Sequence, residues 1–422
     1  MRGCGLPAVF ALLVAGAASA QTEVKLALTG AAGRPNPGLA LRPFEAENPK
    51  VGADALLAKA LREVVRQDLM LSRRFEVTDE DNASEPGKGA SWRLSAKVSK
   101  NSDKISTRVK LANATGGETV FERYYRQDAS WMRALAHRIA DDIVKATTGR
   151  DGIARTRIAF ANNKTGHKEI WIMDYDGDAV KRLTDDRSIS LLPRFSPNGR
   201  GLAYTSYKDG NPDLWFLDFE TGHSKIFSNE QGLNIAGGFS PDGSKLLMTL
   251  SRGKSPNLYL KEVSGSAPAE RLTNHFGADS TPTFSPDARQ VAFISDRSGN
   301  PQIHVLDIPT KKITRLTSLN WCDAPAWSAT GEWIAFAGRV HNKDKMDIFL
   351  VDITGGQLRQ LTHGEGSNED PAWSPDGRFL AFSSTRGGRS QIWVMDSDGS
   401  SPRLMADVPG VSVTPHWSPV GR

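Results

Sequence analysis

The chain has 422 residues, 39% of them hydrophobic and 24% charged, with 39 Gly, 23 Pro and 10 Trp. That apolar and aromatic content excludes a disordered chain, and the length suits two or three domains of roughly 100 to 200 residues each. No internal run reaches the roughly 18 uncharged apolar residues of a membrane span. The net charge of +5 is spread along the chain, which argues against a dedicated nucleic-acid binder.

At the start, Met1-Arg2 supplies a positive end, Leu6 to Ala17 an apolar stretch, and Ala18-Ser19-Ala20 a small-x-small cleavage site. Residues 1–20 therefore read as a signal peptide, so that an exported mature chain starts at Gln21. Cleavage removes Cys4 and leaves Cys322 alone, so no internal disulfide is expected. The next seven residues, Thr22, Glu23, Val24, Lys25, Leu26, Ala27 and Leu28, alternate polar or small side chains with apolar ones. Such a segment suits either the first strand of the domain that follows or a strand that can be lent to a partner.

Residues 21–150 read as a small α/β domain. Ala55, Leu56, Ala60, Leu61, Val64, Val65 and Leu69 recur at helical spacing, as do Trp131, Met132, Leu135, Ile139, Ile143 and Val144. Between the helices, strands are predicted over Phe75 to Thr78, Trp92 to Val98, Ile105 to Leu111 and Thr119 to Tyr125. Gly149-Arg150-Asp151-Gly152 reads as the joint to the second domain, residues 151–422.

That domain repeats. Corners beginning at Ser196, Ser240, Ser285, Ser328, Ser374 and Ser418 follow one another at intervals of 43 to 46 residues, typically as Ser-Pro-Asp-Gly. Proline fixes φ, the Asp or Asn bonds the backbone, and glycine takes the positive φ that ends the turn, so these aspartates are structural. Each corner is followed by a strand such as Val291-Ala292-Phe293, an alternating strand such as Ile170-Trp171-Ile172-Met173, and a Leu-Thr pair such as Leu316-Thr317. A further strand carrying Phe195, Phe239, Phe284, Trp327, Trp373 or Trp417 precedes each corner. Four strands per repeat with no helical interval predict an all-β six-bladed propeller behind the α/β domain. The first copy lacks its Trp strand and the last has nothing after it, so residues 414–418 should complete the blade begun at Arg157.

The chemistry of an enzyme is missing. No Gly-x-Ser-x-Gly elbow and no His-Glu-x-x-His occurs, and the eight His are scattered singly. No catalytic residue, cofactor or metal is therefore predicted. A different possibility is a periplasmic propeller lyase acting on acidic oligosaccharides, if His275, His363 and His416 converge on the propeller axis. Strand direction gathers the inter-blade loops and the second-to-third strand loops on one face. Acids there, among them Asp186, Glu230, Asp279, Asp323, Glu369 and Asp370, predict an acidic funnel, and Lys208, Arg252, Arg297 and Arg386 a basic surround.

The exported α/β domain, Arg155-Thr156-Arg157-Ile158-Ala159-Phe160, Asp174-Tyr175-Asp176-Gly177 and six such blades together resemble the TolB family of the Tol-Pal system. The resemblance covers essentially the whole mature chain. It implies a non-enzymatic periplasmic adaptor that supports outer-membrane integrity and envelope constriction in cell division. Its implied partners are the peptidoglycan-associated lipoprotein Pal, the membrane-anchored TolA and other envelope proteins. Carried onto this sequence, the Pal face would comprise Leu233, Asn234, Asp279, Ser280, Asp323, Glu369 and Asp370, and the TolA segment residues 22–28. The stretch from Ser84 to Ala90 is shorter and more polar than the family pattern.

Overall fold

The computed structural model describes residues 36–48, 52–80, 89–252 and 254–420. Residues 1–20, expected to be a signal peptide, residues 22–28 and most of the Ser84 to Ala90 stretch lie outside them.

Helix α1 (Gly52–Leu71) turns Ala58, Leu61, Val65 and Leu69 inward, and α2 (Met132–Thr148) does the same with Leu135, Ile139, Ile143 and Val144. Trp131 belongs to a short 3-10 turn ahead of α2 and is largely exposed, so the helical periodicity starts one residue later than predicted. Both helices share one core with the strands β1 (Gly38–Leu41), β2 (Glu45–Ala46), β3 (Glu76–Asp79), β4 (Ala90–Asn101), β5 (Lys104–Asn113) and β6 (Thr119–Asp128). The order is β3-β1-β4-β5-β6, with β2 also on β4. The sequence reading missed β1 and β2. Strand β1 runs parallel between β3 and β4, with Leu39, Ala40 and Leu41 fully buried, so it shows a short apolar run without alternation.

Helix α2 ends at Gly149, whose φ of 71° lets its N–H reach the Lys145 carbonyl at 2.9 Å. Asp141 then secures the joint: its Oδ1 accepts the Ala154 N–H at 2.7 Å and its Oδ2 pairs with Arg155 at 2.9 Å. A Cβ on Gly152 would fall 2.3 Å from that Oδ1, so no side chain fits there.

From Arg157 onward six four-stranded antiparallel sheets follow. The corner serines explain the motif. In blade 3, Ser240 Oγ donates to Asp242 at 2.6 Å and accepts the Lys245 N–H at 2.9 Å, joining turn to strand. The Ser240 hydroxyl, together with Ser244, holds the Asp242 carboxyl down to about 2, so this acid is a turn cap. Where Ala329-Thr330 replaces Pro-Asp, the Thr330 hydroxyl takes over at 2.9 Å from Ser328. The Leu-Thr pairs have an equally local cause. Thr184, Thr273, Thr317 and Thr362 each accept a strand N–H and donate to a buried Glu169, Asn257, Gln302 or Asp347.

Ring closure is as the sequence predicts. The strand Ser412–Trp417 is the innermost of the sheet whose other strands are Arg157–Asn162, Glu169–Asp174 and Lys181–Arg182. Even the corner is rebuilt across the chain ends, with the Arg157 N–H on Ser418 Oγ at 2.9 Å and Trp417 Nε1 on Thr156 Oγ1 at 2.8 Å.

The two domains meet on the corner face through a buried ionic network. His137 of α2 lies 2.8 Å from Asp68 of α1 and 3.6 Å from Asp174 of the propeller, while Tyr175 Oη donates to Asp68 at 3.0 Å. Arg133 reaches Asp176 at 2.6 Å, and Arg378 of a blade corner donates to the Ser72 and Arg73 carbonyls at the end of α1. Burial opposes charge on His137, but Asp174 and Asp68 outweigh it and raise its pKa to about 10.

Two outcomes follow. Trp417→Ala removes a buried clasp residue and should cost about 3–5 kcal/mol in urea unfolding; a loss below about 1 kcal/mol would show that closure does not depend on it. The raised pKa of His137 makes its stabilisation complete below about 6.5, its unfolded value, and fading as pH rises through about 10. His137→Gln should therefore be destabilised by roughly 3 kcal/mol at pH 7, with the gap to wild type narrowing towards pH 10.

Candidate functional site: the loop face and axial channel

Each innermost strand carries a register break at the same place. In five blades the residue there, Leu192, Thr281, Ala324, Asp370 or Thr414, has φ between 49° and 56° and precedes a proline. Left-handed backbone is costly for such residues, so the kink is a strained feature built in five times around the axis. Blade 3 has Ala236-Gly237 instead, where the neighbouring Pro282 carbonyl lies 2.6 Å from the position a Cβ would take.

The kinked strands enclose a cavity of about 280 Å³ whose walls include Arg194, Thr283, Asp323, Asp370, Trp373 and His416. It is bipolar. Burial raises the Asp370 pKa to about 6, with further push from Glu369, against bonds from the Thr414 N–H (3.2 Å) and Ser383 Oγ (3.2 Å). Asp323 reaches solvent through the channel yet is surrounded by protein, and its pKa is also raised by burial and then by Glu369. The position two residues after each kink reads Arg194, Gly238, Thr283, Ala326, Ala372 and His416 around the ring, so only two copies are bulky. Burial lowers Arg194 to about 10 and holds His416 neutral, its Nδ1 accepting the Phe195 N–H at 3.3 Å. Sequence reading did not single out Arg194, although aligning the repeats at this position exposes it.

Among the predicted site residues, Asp323, Glu369 and Asp370 come together. They also border a second cavity of about 280 Å³ beside the first, with Trp321, Arg339 and Met346. Leu233 and Ser280 are half-buried on blades 3 and 4. Asn234 and Asp279 are corrected: both are fully buried and offer a partner no surface. Asn234 spends its amide on Ser228, Glu230 and Gly232, and Asp279 is held by Arg297 at 2.8 Å. Residues 22–28 are not described.

The expected funnel and surround are corrected as well. Four of the surrounding cations neutralise inter-blade acids one to one: Lys208 with Asp186, Arg252 with Glu230, Arg297 with Asp279, and Arg389 with Asp407. Asp323, Glu369 and Asp370 make no such ion pair among the described residues, and Asp370 has Arg194 across the first cavity as the cation that feels its charge. The three histidines do not converge. His416 lines the channel, whereas His275 is tied to Asp296 at 3.0 Å in an inter-blade loop and His363 sits exposed in another. Cys322 is fully buried, and burial pushes its thiol up to about 11, as suits a packed residue.

A family model described as the TolB beta propeller domain matches residues 144–337 and 305–422. The chain belongs to the TolB family. It is 34% identical over 315 residues to a protein TolB homolog of Chlorobium luteolum, covering 74% of this chain and 72% of that one. It is 28% identical over 420 residues to the Tol-Pal system protein TolB of Bordetella pertussis, covering 96% and 92%. Its fold is similar to the crystal structure of TolB from Acinetobacter baumannii, with a TM-score of 0.77 and 26% identity over 91% of this chain and 97% of that one. Both TolB domains enter that alignment, because a propeller alone would cover far less of the chain.

The raised pKa of Asp370 means that ionising it costs folding stability, a cost absent below its unfolded value near 3.8 and complete above about 6. Asp370→Asn should therefore melt a few degrees above wild type at pH 7, with the difference vanishing towards pH 4. A variant that melts below wild type at pH 7 would show that the carboxylate is needed by the fold.

Proposed function

We propose that this chain is a non-enzymatic periplasmic adaptor of the Tol-Pal system. In this reading it binds Pal on the loop face and TolA through the mature N-terminal segment, residues 22–28, in support of outer-membrane integrity and envelope constriction during division. The observation that carries the reading is the unpaired carboxylate group Asp323, Glu369 and Asp370 at the mouth of the channel, on a face where the other acids named above have a cation. Paired charges on that rim contribute little to association, whereas an uncompensated acidic centre steers and orients a basic partner patch. Family membership supports the choice of partners, since relatives across 96% of the chain are named as Tol-Pal system proteins. The strained kinks hold the centre in place, which suits recognition by a preformed surface.

The test uses the purified mature chain and Pal from the same cell. Asp323→Lys with Asp370→Lys should weaken Pal binding at least tenfold at low salt, with less effect at high salt. Deleting residues 21–28 should abolish TolA binding while leaving propeller melting unchanged. Equal Pal affinity for wild type and the double variant would place the interface elsewhere.

A further inference from the structure

The inter-blade loop between blades 3 and 4 presents Phe276, which is 93% exposed. Isolated exposed apolar residues are ordinary on protein surfaces, and the difference here lies in how the ring is held. On one side, the His275 N–H donates to Asn257 Oδ1 at 2.8 Å, and its carbonyl accepts Ser255 Oγ at 2.9 Å and Asn257 Nδ2 at 3.2 Å. The His275 ring is fixed by Asp296 at 3.0 Å and lies 4.5 Å from the Phe276 ring, centroid to centroid. On the other side, the Ala278 N–H donates to the same Asp296 oxygen at 3.0 Å. A Cβ on Gly277 would lie 2.1 Å from that oxygen, so the loop admits only glycine at this point. The loop is therefore anchored on both sides of Phe276, at His275 and at Ala278, and the phenyl ring is presented to solvent on a fixed tip.

The rest of the face indicates what such a tip meets. Trp321, 38% exposed with Arg339 over its ring at 5.5 Å, forms with Met346 the apolar wall of the cavity that ends on Asp323, Glu369 and Asp370. An apolar wall leading to unpaired carboxylates is complementary to a lysine or arginine side chain, stem against the rings and head on the acids. Aromatic residues, Phe among them, are enriched in the cores of protein interfaces, and a group already ordered before binding loses little freedom when it is buried.

We infer that Phe276 is the apolar anchor of the loop-face interface, and that the partner offers a recess for its ring together with a basic side chain for the Trp321–Asp323–Asp370 pocket. The inference rests on the reading of this face as the Pal-binding surface. The occupant it commits to is that lipoprotein, and the acidic pocket and the aromatic tip are separate contacts with different salt dependence.

The experiment is titration calorimetry of Pal against the mature full-length chain at low and high salt. The fully exposed position predicts that Phe276→Ala melts as wild type does. Its affinity should fall at least thirtyfold at both salt concentrations, with Phe276→Trp retaining binding within threefold. The Asp323→Lys, Asp370→Lys variant should instead lose affinity mainly at low salt. Phe276→Ala binding within threefold of wild type, while the charge-reversed variant is impaired, overturns the anchor and leaves the docking face standing. Wild-type protein that does not bind Pal at all removes both.

Discussion

The pairing of Ser412–Trp417 with Arg157–Asn162 is the contact on which the remaining geometry depends. It joins strands about 250 residues apart, and without it two sheet edges and the apolar faces beside them would be open to solvent. Closing the ring fixes the distance from every innermost strand to the axis, and so fixes the channel. It also places Trp417 against Phe379 of the adjacent blade and Thr156 of the interdomain joint, so closure and domain docking share residues.

The docking of the α/β domain is ionic at its centre and apolar around it. Asp68 and His137 are removed from water together beside the partly exposed Asp174, which is tolerable because the imidazolium lies between two carboxylates and Tyr175 supplies a further donor. Arg378 adds to this by donating to the Ser72 and Arg73 carbonyls just past the C-terminal, negative end of α1. These contacts link the helices to blades 1 and 6. Those blades also supply His416, Glu369 and Asp370 to the channel and its rim, so the docked domain and the candidate site share two blades.

On the opposite face the arrangement is one of neutralisation with an exception. Loop after loop pairs its acid with a cation of the same blade or the next, and several of those cations lie over aromatic rings, as Lys208 does over Trp215 and Arg252 over Tyr259. Blades 5 and 6 break the pattern. There the acids are held at kinked backbone and unpaired, and burial, with the nearby Glu369 carboxylate adding to it, raises the pKa of Asp323 and Asp370, a state that costs stability and that a docking basic partner would relieve.

What the sequence determined is what a few adjacent residues can encode. The Ser-Pro-Asp-Gly corners, the Leu-Thr pairs and the alternating strands specify the blade. The missing half-blade at each end specifies closure, down to the strand at 414–418. The small domain's helices were legible for the same reason, whereas β1 was not, because a four-residue strand buried on both faces has no periodicity to read. The site was legible in part. Strand direction put Asp323, Glu369 and Asp370 on one face, but nothing in the sequence distinguished them from Asp279, which the fold buries against Arg297, or from Asn234, which holds its own loop. Whether a loop acid is paired is settled by which loops the ring makes neighbours, and exposure of a side chain such as Phe276 by how its flanking residues are tied down. Both are long-range properties, which only the tertiary structure decides.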